Sequence, residues 1–173
     1  MFSKTLFVAG LFLFSSAAFA QEAQGQDSAG LARQEVLTLP LARAMVAGCE
    51  AFAQQNDLAP LTMAIYDASG DLKLFMRQDG ATKVTLEFAH IKARTSAVLG
   101  MSTKDLGDNV EFSDNDRPMG IRYIYNLTVV QGGIPIRAQS GQLLGGMGVS
   151  GAPSAMDEAC GWAGIDVVKD RLN

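Results

Sequence analysis

Hydrophobic positions recur at helical spacing in three stretches of the chain and gather into short runs between them. Over Leu39 to Gln55, Leu41, Met45, Cys49 and Phe52 share one helical face, with Pro40 in the first turn and Thr38 ahead of it as N-cap, which predicts a first helix. Leu61 to Tyr66 and Leu72 to Arg77 are apolar runs on either side of Asp67-Ala68-Ser69-Gly70, the pattern of a β-hairpin. Thr82 to Leu99 predicts the longest helix. Its Val84, Phe88, Ile91, Thr95 and Val98 form the face expected to meet the core, while Lys83, Glu87, His90 and Arg94 form a polar stripe. Asp105 to Pro118 reads as a polar connection. Tyr123 to Val130, Ile134 to Ala138 and Gln142 to Val149 then predict three further strands. Ser154 to Lys169 predicts a closing helix with Ser154 as N-cap and Asp157 at the capping-box position. Five short strands joined mostly by tight turns imply an α+β domain, one antiparallel sheet flanked by helices, and not a doubly wound fold.

Targeting and charge narrow the setting. Residues 1–20 carry one positive charge at Lys4, an apolar stretch from Leu6 to Phe14 and the ending Ala18-Phe19-Ala20, the pattern of a secretory signal peptide cut before Gln21. Residues 21–35 are polar, small and without periodicity, a disordered leader onto a single domain at 36–173. The expected location is periplasmic or secreted. No later stretch approaches the roughly 20 apolar residues of a membrane span. An apolar content of 48% suffices for a core without heavy disulfide stapling. Without Lys4 the mature chain has 13 basic against 18 acidic residues, which disfavours nucleic acid as a partner and favours a small molecule or another protein. Cys49 and Cys160 lie in separate helices of an exported chain; they bridge if those helices pack together, and otherwise stay as two buried thiols.

Gly146 to Gly151, G-M-G-V-S-G, has the G-x-G-x-x-G spacing of a dinucleotide fingerprint between a strand and a helix. That fold also needs a strand after the helix to bring an acidic residue to the ribose, and here the sequence ends at Asn173. The glycines read better as a strand face without side chains, open to close approach by a helix, a second subunit or a flat ligand. The amides before Ser154 are also placed to hold a carboxylate. Ser150 lacks the G-x-S-x-G elbow, one histidine and two separated cysteines do not make a closed zinc site, and Ser113 to Asp116 lacks EF-hand spacing. His90 has two readings: a solvent-facing member of the polar stripe, or an axial ligand to haem iron with Arg94 one turn on to meet a propionate. Met101, Met147, Tyr123 and Tyr125 are weaker candidate ligands.

Five motifs, RQDGA at 77–81, KARTSAVLG at 92–100, QGGIPI at 131–136, GQLLGGMGVSGA at 141–152 and MDEACGWAG at 156–164, together resemble the GlcG/HbpS-like, or haem-degrading domain, family over nearly the whole domain. The resemblance implies a profilin-like or PAS-like fold, assembly into homo-oligomers, and haem binding in several exported members, sometimes with haem degradation. Lys92 and Thr95 fall on the family's K-A-x-T motif, whose threonine neighbourhood is associated with haem, while His90 stands just before it. The expectation is thus an exported haem-binding homo-oligomer, with His90 for the iron and Arg94, Lys92, Thr95 and Arg77 as further cofactor contacts. An enzyme or accessory protein for a small organic acid, using the Gly146 to Gly151 turn as its carboxylate site, and a purely structural module are the rival readings.

Overall fold

In a computed structural model, residues 35–109 and 126–172 are described. The expected signal peptide, nearly all of the expected leader, the Ser113 to Asp116 loop and the tyrosines at 123 and 125 lie outside them. The elements run α1 (Leu39–Gln55), β1 (Thr62–Asp67), β2 (Leu72–Arg77), α2 (Lys83–Leu99), α3 (Thr103–Asn109), β3 (Gly133–Arg137), β4 (Leu143–Ser150) and α4 (Ser154–Asp166), followed by a short 3-10 turn at Lys169–Arg171. The described strands form one antiparallel sheet in the order β2-β1-β4-β3, so the fold is α+β.

Among the described residues the sheet has four of the five expected strands. Residues 126–130, the described part of the predicted strand Tyr123 to Val130, form a turn and an irregular segment. Conversely, the start of the expected polar connection is helical. Ser102 accepts the Asp105 N–H at 2.9 Å, and Leu106 is buried, so a Ser-x-x-Asp cap ahead of one apolar anchor suffices for α3.

The register divides the sheet into two unlike faces. Met63 and Ile65 of β1, Ile134 and Ile136 of β3, and Met147 and Val149 of β4 all point one way and are fully buried against α1 and α4. Removing each such side chain from water contributes about 1.5–3 kcal/mol. Under this face Cys49 of α1 and Cys160 of α4 form a disulfide, which settles the pairing the sequence left open. On the opposite face the same strands present Ala64, Gly133, Gly146 and Gly148. A Cβ on Gly146 would overlap the backbone of Ala93 and Ala97, and one on Gly148 the backbone of Ala89 and Ala93. Helix α2 therefore lies directly on the sheet backbone.

That contact overturns the expected orientation of α2. Its buried residues are Thr85, Ala89, Lys92, Ala93, Thr95, Ser96 and Ala97, while Val84 is 58%, Phe88 38% and Val98 48% exposed. A floor of glycines leaves little depth beneath the helix, so α2 turns its alanines, Thr85, Thr95 and Ser96 inward with Lys92 as the one large exception, and its bulky apolar residues Val84, Phe88 and Val98 outward. The G-x-G strand is a seat for α2, as the close-approach reading of the glycines anticipates, and no nucleotide cradle is left on it.

Candidate functional site

The polar edge of α2 meets the hairpin. By register Tyr66 of β1 and Phe75 of β2 lie on the face toward α2, and both pack beside Ala64, Ala89 and Ala93. The His90 ring stacks on Phe75 with centroids 4.6 Å apart and planes within 4°, and it meets Tyr66 edge-on at 5.9 Å. Its Nδ1 is hydrogen-bonded to the Tyr66 hydroxyl at 3.0 Å. His90 is thus half-buried and held on two sides, not the loose surface residue that its place in a polar stripe suggested.

An open pocket of about 600 Å³ lies against this histidine, lined by Tyr66, Glu87, His90, Ile91, Arg94 and Asn126. Its size is within the roughly 300–1,000 Å³ of small-molecule sites. Glu87, His90, Ile91 and Arg94 line it together because they are three to four residues apart on one helix. Burial pushes the Tyr66 phenol above its usual range, an effect the nearby Arg94 cation only partly offsets, so the phenol keeps its proton at neutral pH.

Of the five residues the sequence nominated, the structure brings His90 and Arg94 together at this pocket and places the other three elsewhere. Lys92 is 2% exposed on the sheet side of α2, where Nζ donates to the Val149 carbonyl at 2.9 Å and to Asp157 Oδ2 at 2.8 Å. Desolvation lowers the pKa of Lys92 and raises that of Asp157, opposed in each case by the partner's charge. An amine so placed does not reach a propionate in the pocket. Thr95 is also fully buried; its hydroxyl donates to the Ile91 carbonyl at 2.7 Å and accepts the Thr128 N–H at 3.0 Å. It anchors the segment that carries Asn126 and acts on the pocket at one remove. Arg77 sits at the far end of β2, where Nε and Nη2 both donate to the Ala81 carbonyl and close the β2–α2 loop.

Two of the remaining sequence candidates have clear places. Met147 is fully buried in the core. The amides before α4 do hold a carboxylate, but it is the chain's own: Asp157 Oδ1 accepts the Ala152 N–H at 2.9 Å, and the Gly151 amide also bonds this carboxylate. Asp157 reaches past Pro153, which occupies the N-cap position expected of Ser154. The glycine turn is therefore filled, and the organic-acid reading loses its carboxylate site. Tyr66 and Phe75 were not anticipated as site residues. The hairpin pattern held the signal, since pairing β1 with β2 puts alternate residues of both strands on the α2 side.

A model of the haem-degrading HbpS-like family matches residues 37–166. The chain belongs to the HbpS-like family. Solved structures share the fold. The crystal structure of HbpS is 27% identical with a TM-score of 0.70, the alignment covering 80% of this chain and 94% of that one. Protein ORFY of Klebsiella pneumoniae is 22% identical with a TM-score of 0.71, at 79% and 93% coverage. PduOC, crystallised as a heme complex, is 24% identical with a TM-score of 0.67, at 76% and 94% coverage. No curated protein sequence matches the chain significantly. Within this HbpS-like chain, no described helix is long and apolar enough to cross a membrane, and the described residues contain no cluster of three or more His, Cys, Asp or Glu side chains fit for a metal ion.

Proposed function

We propose that this HbpS-like chain is an exported haem-binding protein that sequesters or senses haem as a homo-oligomer, with the haem at the His90 pocket. The observation that carries the proposal is a histidine whose Nδ1 is held by a phenol and whose ring is stacked on Phe75, beside a pocket that also contains Arg94. An imidazole held in this way suits axial ligation through Nε2, and a guanidinium one helical turn away suits a propionate. Ile91 and the Tyr66 ring supply apolar walls, and Val84 and Phe88, exposed on the same helix at i, i+4 spacing, extend an apolar surface next to Ile91. These residues fit a haem, which when bound would supply the redox-active iron. The family and the heme complex of PduOC support the same ligand.

Export is supported by the signal-like residues 1–20 and by the Cys49–Cys160 bridge, which suits an oxidising compartment. Self-association is supported by the exposed Val84 and Phe88, since bulky apolar side chains in a row on one helix mark a contact surface. The test is a titration of purified apo-protein with hemin, followed by absorbance and by light scattering. The proposal predicts a saturable Soret band at one hemin per chain on an oligomer. Hemin that stays at its free spectrum with excess protein would overturn it.

A further inference from the structure

We infer that Tyr66 is a positioning residue of this site: its hydroxyl occupies Nδ1 of His90, leaves Nε2 as the ring nitrogen that meets a ligand, and with Phe75 fixes the plane in which that nitrogen points. The identity of the ligand rests on the haem reading above, whereas the positioning is a property of the ligand-free chain. Three observations on separate elements carry it. The Tyr66 oxygen stands 3.0 Å from Nδ1, across from α2 on β1. The Phe75 ring on β2 lies parallel to the imidazole at 4.6 Å and blocks rotation out of that plane. Ala64, Ala89 and Ala93 are fully buried beneath both aromatic rings, so hairpin and helix are held at one separation.

The geometry has a chemical consequence. A histidine that binds a metal through Nε2 carries its proton on Nδ1 and needs an acceptor there, most often a carboxylate, a carbonyl or water. Here a phenol stands at that position: with a metal on Nε2 its oxygen would accept the Nδ1–H, and in the ligand-free ring either partner can donate. Residues that hold a ligating histidine in this way typically contribute 10- to 100-fold to metal affinity.

His90 is the chain's only histidine, so histidine labelled with 15N reports on this ring alone. In ligand-free wild type the two ring nitrogens should show one dominant tautomer. In Tyr66→Phe, which keeps the ring and removes only the hydroxyl, both resonances should move toward the averaged values of exchanging tautomers. Hemin affinity should fall about 10- to 100-fold, and the bound iron's midpoint potential should shift, which a purely structural role for the hydroxyl would not produce. Ring nitrogen resonances that are the same in both proteins would overturn the inference, as would unchanged hemin affinity and potential in Tyr66→Phe. If the resonances move but neither protein binds hemin, the positioning role stands and the haem reading fails.

Discussion

The two faces of the sheet are built by opposite means. Against α1 and α4, the strands project Met63, Ile65, Ile134, Ile136, Met147 and Val149 into a thick apolar layer crossed by a disulfide. Against α2, the centre of the sheet presents only Ala64 and glycines, with Tyr66 and Phe75 to one side; helix and sheet meet backbone to backbone, Thr85 bonds Thr62, and Lys92 donates to the Val149 carbonyl of β4 and pairs with Asp157 of α4. A thick layer adjusts to the loss of a methylene by partial relaxation, whereas a contact between backbones has no side chain to yield. The close-packed face is also the one that carries the pocket. The seat of α2 on these glycines places His90 and Arg94 at its edge beside the hairpin, as a preformed site requires.

This difference is broken most directly at Gly148. A Cβ there meets the α2 backbone, which has no rotamer to change, so Gly148→Val should abolish the cooperative folding transition in chemical denaturation. A variant with a normal midpoint would show that α2 stands further off. Lys92→Met should come next, destabilising by about 3–5 kcal/mol because it leaves the Asp157 carboxylate buried without its cation. Measured by the same denaturation curves, a loss below about 1 kcal/mol would mean that water reaches the pair.

The thick face should respond more gently to mutation but strongly to its staple. Removing both cysteines as Cys49→Ala with Cys160→Ala opens a cross-link between residues 111 apart, for which chain entropy gives about 4–5 kcal/mol and native disulfides typically 2–5. The core should remain native-like by near-ultraviolet circular dichroism, and loss of that signal would show that the apolar layer does not hold on its own. The smallest stability change is expected for Val84→Ser with Phe88→Ser, within about 0.5 kcal/mol per site, since both side chains are exposed. The same double variant should shift the proposed oligomer toward smaller species in light scattering; an unchanged mass would count against a self-contact through this surface.

Sequence patterning located α1, the hairpin, α2 and the start of α4 within a residue or so, because hydrophobic periodicity, Pro40 and the turn tetrad are local. It misjudged the face of α2 because amphipathicity weighs side-chain size, and here the sheet's glycines decide. The corrective signal was present as Ala89, Ala93 and Ala97, three small residues at i, i+4, i+8, which match the Gly146 and Gly148 spacing of β4. At the site, His90 and Arg94 were legible as neighbours on one helix. Lys92 was misread because nothing local distinguishes a lysine bound for an ion pair with Asp157, 65 residues away. Tyr66 and Phe75 depend on strand register, which is fixed only when β1, β2 and α2 come together.

The central claim is that the iron of a bound haem is ligated by this positioned histidine. Pulsed electron paramagnetic resonance on ferric hemin bound to protein labelled only in histidine with 15N tests it without any mutation, because a single residue in the chain carries the label. The account predicts a coupling from one 15N nucleus to the iron, in addition to the unlabelled pyrrole nitrogens of the porphyrin, and its disappearance in His90→Ala. A hemin complex that forms stoichiometrically yet shows no 15N coupling would contradict it.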